Sequence, residues 1–315
     1  VPNATMAVPI PEGSKTPYVF LGKSGLKVSN ITLGTMTFGE NQFGRPGNTD
    51  EAQSHEIINR YVEWGGNFLD TADVYGMGIS ESIVGRWLET QPRDKFVIAT
   101  KCRFDVGTEN NINNVGLSRR HITESIDRSL QRLHTDFVDL YQFVWAKVRY
   151  IGASNVTGWQ LQKLVGIVDR LGLNPIVSLQ QQYNLVIRES ELESFQVCKN
   201  EGIGVLPWSP LKGGLLAGKV KRGQKPTEGR MSWVAADESK EMQSAPNWKK
   251  LDDKTFDLLE ALEAIAKKHA KSVPQVAIRW LLQKDVVSSV IIGARTLAQL
   301  DDNMGANGWS LTLEE

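Results

Sequence analysis

The stretch Asn67-Phe68-Leu69-Asp70-Thr71-Ala72-Asp73-Val74-Tyr75-Gly76 decides how the fold is read. It opens as a short apolar run and ends in a polar turn. Asp70 falls near the end of the run and Tyr75 five residues on. A continuous apolar run of this kind is what a strand buried on both faces looks like. Before it, the segment from Asp50 to about Trp64 carries Ile57, Ile58, Tyr61 and Val62 at helical spacing. Thr49 or Asp50 can cap that helix, and Gly65-Gly66 stops it. After it, Ser80–Thr90 reads as a second helix with Ile83, Val84, Trp87 and Leu88 inward. Phe96–Cys102 is the next strand, with Lys101 near its end.

Working outward, the same strand-then-helix unit recurs. Apolar strands begin near residues 31, 67, 96, 137, 148, 176, 204 and 287. Further helices are expected over Ser118–Leu133, Thr157–Leu171, Glu191–Asn200, Thr255–His269, Val273–Gln283 and Thr296–Met304. Alternation of this kind predicts an α/β fold with a parallel sheet, and eight units predict a closed (β/α)8 TIM barrel. Tyr18–Leu21 and Leu26–Val28 around Lys23-Ser24-Gly25 predict an N-terminal β-hairpin. Residues 1–17, with four prolines, read as a flexible arm ahead of one barrel domain over 18–315. The stretch 212–250 is a long insertion after the seventh strand. With the loop Glu40–Thr49 it is expected to line the mouth.

One junction breaks the rhythm. The fourth strand ends near Gln142 or Phe143 and the fifth begins near Lys147 or Val148. A parallel crossover needs at least about 10–12 residues. Either these strands are not parallel neighbours, or the strand-to-strand segment is missing. The sequence favours the second reading.

Composition narrows the function classes. The 36 basic and 36 acidic side chains balance, which gives no push toward nucleic acid or an anionic membrane. No apolar run approaches the ~18–20 residues that cross a bilayer. The two cysteines, Cys102 and Cys198, fall in or beside apolar runs and read as small buried hydrophobes in a reducing, cytoplasmic setting. Nothing has zinc-ligand spacing. A homo-oligomer is left open.

In such barrels the active site lies at the carboxyl ends of the strands. Polar residues there are Asp70, Tyr75, Lys101, Ser154, Asn155, Gln180, Trp208, Ser209 and Arg295, contributed by six strands. A carboxylate, an ammonium and a phenol on one rim can make a proton-donating site. Ser154, Asn155 and Gln180 offer both donors and acceptors. Gly213-Gly214 permits close backbone approach. Lys219 and Arg295 add positive charge.

These residues sit in motifs that resemble one family. Asn67–Gly76, Ile98-Ala99-Thr100-Lys101, Tyr150–Asn155, Pro207-Trp208-Ser209-Pro210-Leu211 and the closing Ile292-Gly293-Ala294-Arg295 with Gln299 and Asn303 are similar to the aldo-keto reductases. The branch resembled holds aryl-alcohol dehydrogenase-like reductases and potassium-channel β subunits. The resemblance implies reduction of a small carbonyl substrate by NADPH. Tyr75 would be the proton donor, Lys101 would strengthen that acid, and Asp70 would hold Lys101 charged. It implies Trp208 as a stacking surface for nicotinamide, with Ser154, Asn155 and Gln180 on its carboxamide, and Ser209, Leu211 and Gly213 beside the cofactor. It would set Lys219 and Arg295 against the cofactor's phosphates. Gly293, Arg295, Gln299 and Asn303 would form a clamp for the adenosine phosphate. The family's fourth catalytic residue is a histidine after a Tyr-Gln pair on strand four. Tyr141-Gln142 is present, but Phe143-Val144-Trp145 follows. The four histidines, His55, His121, His134 and His269, all fall in or at the ends of predicted helices. The missing histidine and the short junction thus coincide. They raise an alternative, a nucleotide-binding regulatory or scaffold protein with little turnover.

Overall fold

The computed structural model describes residues 13–39, 48–107, 111–142, 148–227, 229–236 and 251–315. Eight parallel strands form one sheet in the order β10-β3-β4-β5-β6-β7-β8-β9. They are β3 (Ile31–Gly34), β4 (Phe68–Asp70), β5 (Val97–Lys101), β6 (Val138–Gln142), β7 (Val148–Ser154), β8 (Ile176–Gln182), β9 (Gly204–Trp208) and β10 (Val290–Ile292). The sheet closes on itself through Val205. Its N–H donates to Val286 O and its carbonyl accepts from Ser288, both at 2.9 Å. A bridge between Val205 and Val287 lies at the same place. The last strand is accordingly shorter than the run 287–292 suggested.

Inside the barrel, Phe68, Val97, Ala99, Leu140, Val177, Leu206 and Ile291 pack together. Burying each large side chain among them stabilises the fold by roughly 1.5–3 kcal/mol relative to exposure. The floor is the expected hairpin, β1 (Tyr18–Phe20) against β2 (Lys27–Ser29), which adds Leu21 and Val28 to the interior. Gly22 lets it seat. Its φ is +55°, and a Cβ there would lie 2.6 Å from the Gly202 carbonyl. Ordered contacts begin ahead of the hairpin, where Thr16 donates to Trp64 O at 2.7 Å. Residues 1–12, most of the expected arm, lie outside the described residues.

The helices wrap the outside: α1 (Glu51–Glu63), α2 (Ile79–Leu88), α3 (Arg119–Leu133), α4 (Gly158–Arg170), α5 (Ser194–Glu201), α6 (Gly229–Ala236), α7 (Asp253–Lys268), α8 (Val273–Leu282) and α9 (Leu297–Met304). Caps set their starts. Asp50 and Gln53 form a reciprocal capping box on α1, Ser118 caps α3 and Thr296 caps α9. The helix expected from Glu191 begins at Ser194, after a single 3-10 turn over Glu189–Glu191. Part of the long insertion is helical as α6; residues 228 and 237–250 lie outside the described residues.

Helices α2 and α3 pack unusually close at Gly85. A Cβ on Gly85 would fall 2.1 Å from the Arg132 carbonyl oxygen and 2.8 Å from Leu133 backbone. Backbone cannot swing aside as a flexible side chain can. Gly85→Ala is therefore expected to destabilise the fold by about 1–3 kcal/mol, read as a lowered urea midpoint. An unchanged midpoint would mean that α2 and α3 sit farther apart.

The junction between β6 and β7 resolves one of the two readings above. The strands are parallel neighbours, with Val138 beside Val148 and Leu140 beside Tyr150. Residues 143–147 between them lie outside the described residues, and they are too few for a crossover helix. α4 fully buries only Gly158 and Leu161, while Leu164, Val165, Ile167 and Val168 stay half-buried.

Candidate active site

At the carboxyl end of β4, Asp70 is 2% exposed and its side chain serves three strands. Its Oδ2 accepts from Lys101 Nζ at 2.6 Å, across from β5. Its Oδ1 accepts from Gln180 of β8 at 2.8 Å and from Gln142 of β6 at 3.4 Å. Lys101 also donates to the Thr71 carbonyl at 2.7 Å and lies 3.5 Å from the Tyr75 hydroxyl. Burial works against the Lys101 ammonium, but Asp70 and Tyr75 outweigh it and hold its pKa above the ordinary lysine value. An ammonium whose charged form the site favours thus stands next to a half-exposed phenol.

A second group lies on the neighbouring rim. Asn155 follows β7 with φ of +51°, and its N–H donates to Gln180 O at 3.0 Å. Its amide donates to Ser154 Oγ at 3.0 Å and accepts from the Trp208 indole at 3.1 Å. Ser154, Asn155, Gln180 and Trp208 are therefore joined, and Gln180 links them to Asp70. The carboxamide role expected of Gln180 is shared with this bond. One amide hydrogen goes to Asp70.

After β9 the chain turns through left-handed residues, Ser209 at +57°, Lys212 at +47°, Gly213 at +65° and Gly214 at +103°. The Lys212 N–H donates back to the Ser209 carbonyl at 3.0 Å, so the turn is held by its own backbone. Leu211 anchors the turn, its carbonyl accepting from Gly214 and Leu216. Lys219 is exposed beyond it. At the opening of α9, the Arg295 N–H donates to Gln299 Oε1 at 2.9 Å and Asn303 donates to the Gly293 carbonyl at 3.3 Å. The members of the expected clamp are thus adjacent.

The four histidines are elsewhere. His55 contacts Ile83 O, His121 contacts Gly116 O, His134 meets Glu89 and His269 meets Glu315, all on the helical shell. None is at the mouth. Both cysteines are free and buried, and burial pushes Cys102 up to about 11 and Cys198 up to about 12. Among the described residues no cluster could hold a metal ion, and no helix is long and apolar enough to cross a membrane.

Sequence reasoning missed three residues. Gln142 reaches Asp70 from β6. Asp73 and Glu81 are buried carboxylates, 1% and 0% exposed. A signal for Glu81 existed: it shares the apolar stripe of α2 with Val84 and Leu88 at helical spacing.

A parallel barrel with its polar groups converging on the carboxyl rim is the arrangement of a barrel enzyme. Comparison with known proteins makes the class narrower. The aldo/keto reductase family matches residues 30–147 and 146–315, and this chain belongs to it. An uncharacterized oxidoreductase, YrpG, of Bacillus subtilis is 34% identical, over 94% of this chain and 93% of its own length. Versiconal hemiacetal acetate reductase of Aspergillus parasiticus is 33% identical, over 95% and 94%. A putative aryl-alcohol dehydrogenase, AAD16, of Saccharomyces cerevisiae is 29% identical, over 94% of both. The chain falls on the aryl-alcohol dehydrogenase-like branch and is an oxidoreductase by relationship. The family match breaks in two where the β6–β7 junction is short. The alignment with YrpG runs over 325 positions, more than the 315 residues of this chain, so the relative carries residues that this chain lacks.

Proposed function

We propose that this chain reduces a small aldehyde or ketone with NADPH, Tyr75 supplying the proton. The observation that carries the reading is the relay from Asp70 through Lys101, at 2.6 Å, to the Tyr75 hydroxyl at 3.5 Å. Bound NADPH supplies the hydride. As the carbonyl oxygen gains negative charge, the Tyr75 O–H donates to it. The phenolate left behind faces the Lys101 ammonium, which lowers the cost of losing the proton. Asp70 and the Thr71 carbonyl fix the direction of that ammonium.

The residues around the mouth fit a dinucleotide. A Cβ on Gly293 would meet nothing within 4 Å although its backbone is not left-handed, so neither packing nor conformation calls for glycine there. Gly214 is also open, with its nearest neighbour at 4.0 Å, while its φ of +103° by itself favours glycine. In this reading Ser154, Asn155 and Gln180 hold the carboxamide and Trp208 covers the nicotinamide. The turn Ser209–Gly214, with Lys219, takes the pyrophosphate. Arg295, Gln299 and Asn303 take the adenosine end.

Steady-state NADPH oxidation with an aromatic aldehyde, beside cofactor binding by fluorescence, tests the proposal. Turnover supports it; binding without turnover favours the regulatory or scaffold reading. That second reading has its own motive, since no histidine stands on the mouth and Gln142 closes β6. Arg295→Ala is expected to weaken NADPH binding about 10–100-fold, the worth of hydrogen bonds to a charged group, with NADH changed less than about twofold. Equal weakening of both would remove Arg295 from the 2′-phosphate.

A further inference from the structure

Behind the rim, between β4, β5, α2 and α3, lies a charge imbalance that the reaction does not use. Glu81 is fully buried and both of its oxygens are satisfied. Thr100 donates to Oε1 at 2.5 Å and Arg132 to Oε2 at 2.7 Å. Asp70 has Lys101. Asp73 is the third buried carboxylate, and its Oδ2 has no hydrogen-bond partner. The groups facing Asp73 come from every surrounding element. They are Glu81 of α2, Arg132 of α3, and Lys101 at the end of β5. Cys102 after β5 and Tyr141 of β6 also feel its charge, and these two buried side chains lie against each other. Two cations are thus engaged by two carboxylates, and Asp73 is left over. Its main chain is tied to the site: the Asp73 N–H donates to the Lys101 carbonyl at 3.1 Å, two residues before Tyr75.

We propose that Asp73 carries a titratable proton in the folded protein and is a positioning residue that sets the acidity of Tyr75. In its acid form it leaves the field of Lys101 to the phenol. In its ionised form it adds a negative charge behind Lys101 and makes the phenol a weaker acid. The first effect stands on burial and pairing alone; only its consequence for rate rests on Tyr75 as proton donor. An unpaired buried carboxylate takes up a proton rather than bear the desolvation cost. Burial first, then the repulsion of Glu81, push the Asp73 carboxyl up to about 7, with Arg132, Val74 N–H and Lys101 pulling the other way. A carboxyl raised on folding contributes stability below its unfolded value, near 4, and that stability is lost as pH rises through about 7.

The test compares wild type, Asp73→Asn and Glu81→Gln in two readouts that need no turnover. One is the urea midpoint at pH 5 and pH 8.5. The other is the ionisation of Tyr75, followed by tyrosinate absorbance as the difference from each protein's Tyr75→Phe partner. Asp73→Asn is expected to gain resistance relative to wild type at pH 8.5 but not at pH 5, and its Tyr75 is expected to ionise about one pH unit lower, a tenfold change in acidity. Glu81→Gln is expected to move the pH window of stability loss downward, which keeps the test available if Asp73→Asn does not fold. Identical pH dependence of unfolding in wild type and variants would overturn the titratable proton. A Tyr75 ionisation indifferent to Asp73→Asn would overturn the positioning role. A chain without NADPH turnover would refute the proposed reaction and leave both readouts standing.

Discussion

Replacing Tyr75 by phenylalanine is expected to cut the rate of carbonyl reduction by about 10²–10⁴-fold, the usual worth of a positioned general acid. Cofactor affinity should change little, because the proposed cofactor contacts come from β7, β8, β9 and β10 rather than from the turn after β4. The fold should hold as well. Tyr75 is only half-buried, and phenylalanine keeps its ring over Lys101, whose ammonium lies 5.0 Å from the ring centre. The measurement is steady-state kinetics with an aromatic aldehyde, together with NADPH fluorescence titration. A variant as fast as wild type would end the assignment of Tyr75 as proton donor. A variant that no longer binds NADPH would mean that Tyr75 has been given the wrong role.

Asp70→Leu is the variant with the largest expected effect on stability. It removes the counter-charge of a buried ammonium and the acceptor of two amides at once. Breaking a buried ion pair from one side costs about 3–5 kcal/mol, because the remaining charge is stranded. Lys101 is the stranded group. Its side chain is 16% exposed, and without Asp70 its nearest described acceptor is the Thr71 carbonyl. In the wild type its raised pKa contributes stability that is complete below the unfolded lysine value and lost as pH rises through the folded one. In Asp70→Leu only Tyr75 still offsets the burial that opposes the ammonium, so Lys101 loses its proton more easily. The penalty should therefore shrink as pH rises toward the alkaline range. Urea unfolding at pH 7 and pH 9.5 reads both effects. A loss below about 1 kcal/mol at pH 7 would show that the pair behaves as an exposed one.

The short β6–β7 junction bears on both predictions. It leaves Asp70 and Lys101 in register, since β4, β5 and β6 pair as neighbours through Ala99 and Leu140. It also leaves the strand-four end of the mouth without an imidazole. The relay from Asp70 to Tyr75 does not pass through that end. The proposed reaction therefore rests on the relay alone, and the NADPH assay asks whether the relay suffices.

How much of this was legible before folding depended on the range of each interaction. The starts of α1, α3 and α9 are fixed locally, because caps act within three residues: Asp50 on Gln53, Ser118 on His121, Thr296 on Gln299. The start of α5 is not, because the Glu189–Glu191 turn is held by Arg188 and Tyr183 rather than by its own sequence pattern. Asp70, Tyr75 and Lys101 were legible because strand ends on a barrel all point to one rim. Gln142 and Asp73 were not.

By itself the sequence determined the number of strands, eight of the nine helices among the described residues, the residues on the rim and the one junction too short for a crossover. All of these follow from period and spacing along the chain. Only the tertiary structure decided how the charges are shared. Asp70 takes Lys101, Gln142 and Gln180 from 31, 72 and 110 residues away, and Glu81 takes Arg132 from 51. Barrel closure and helix packing choose those partners. Asp73 is left without one because both nearby cations are already engaged, a balance fixed by burial in three dimensions and absent from any local pattern.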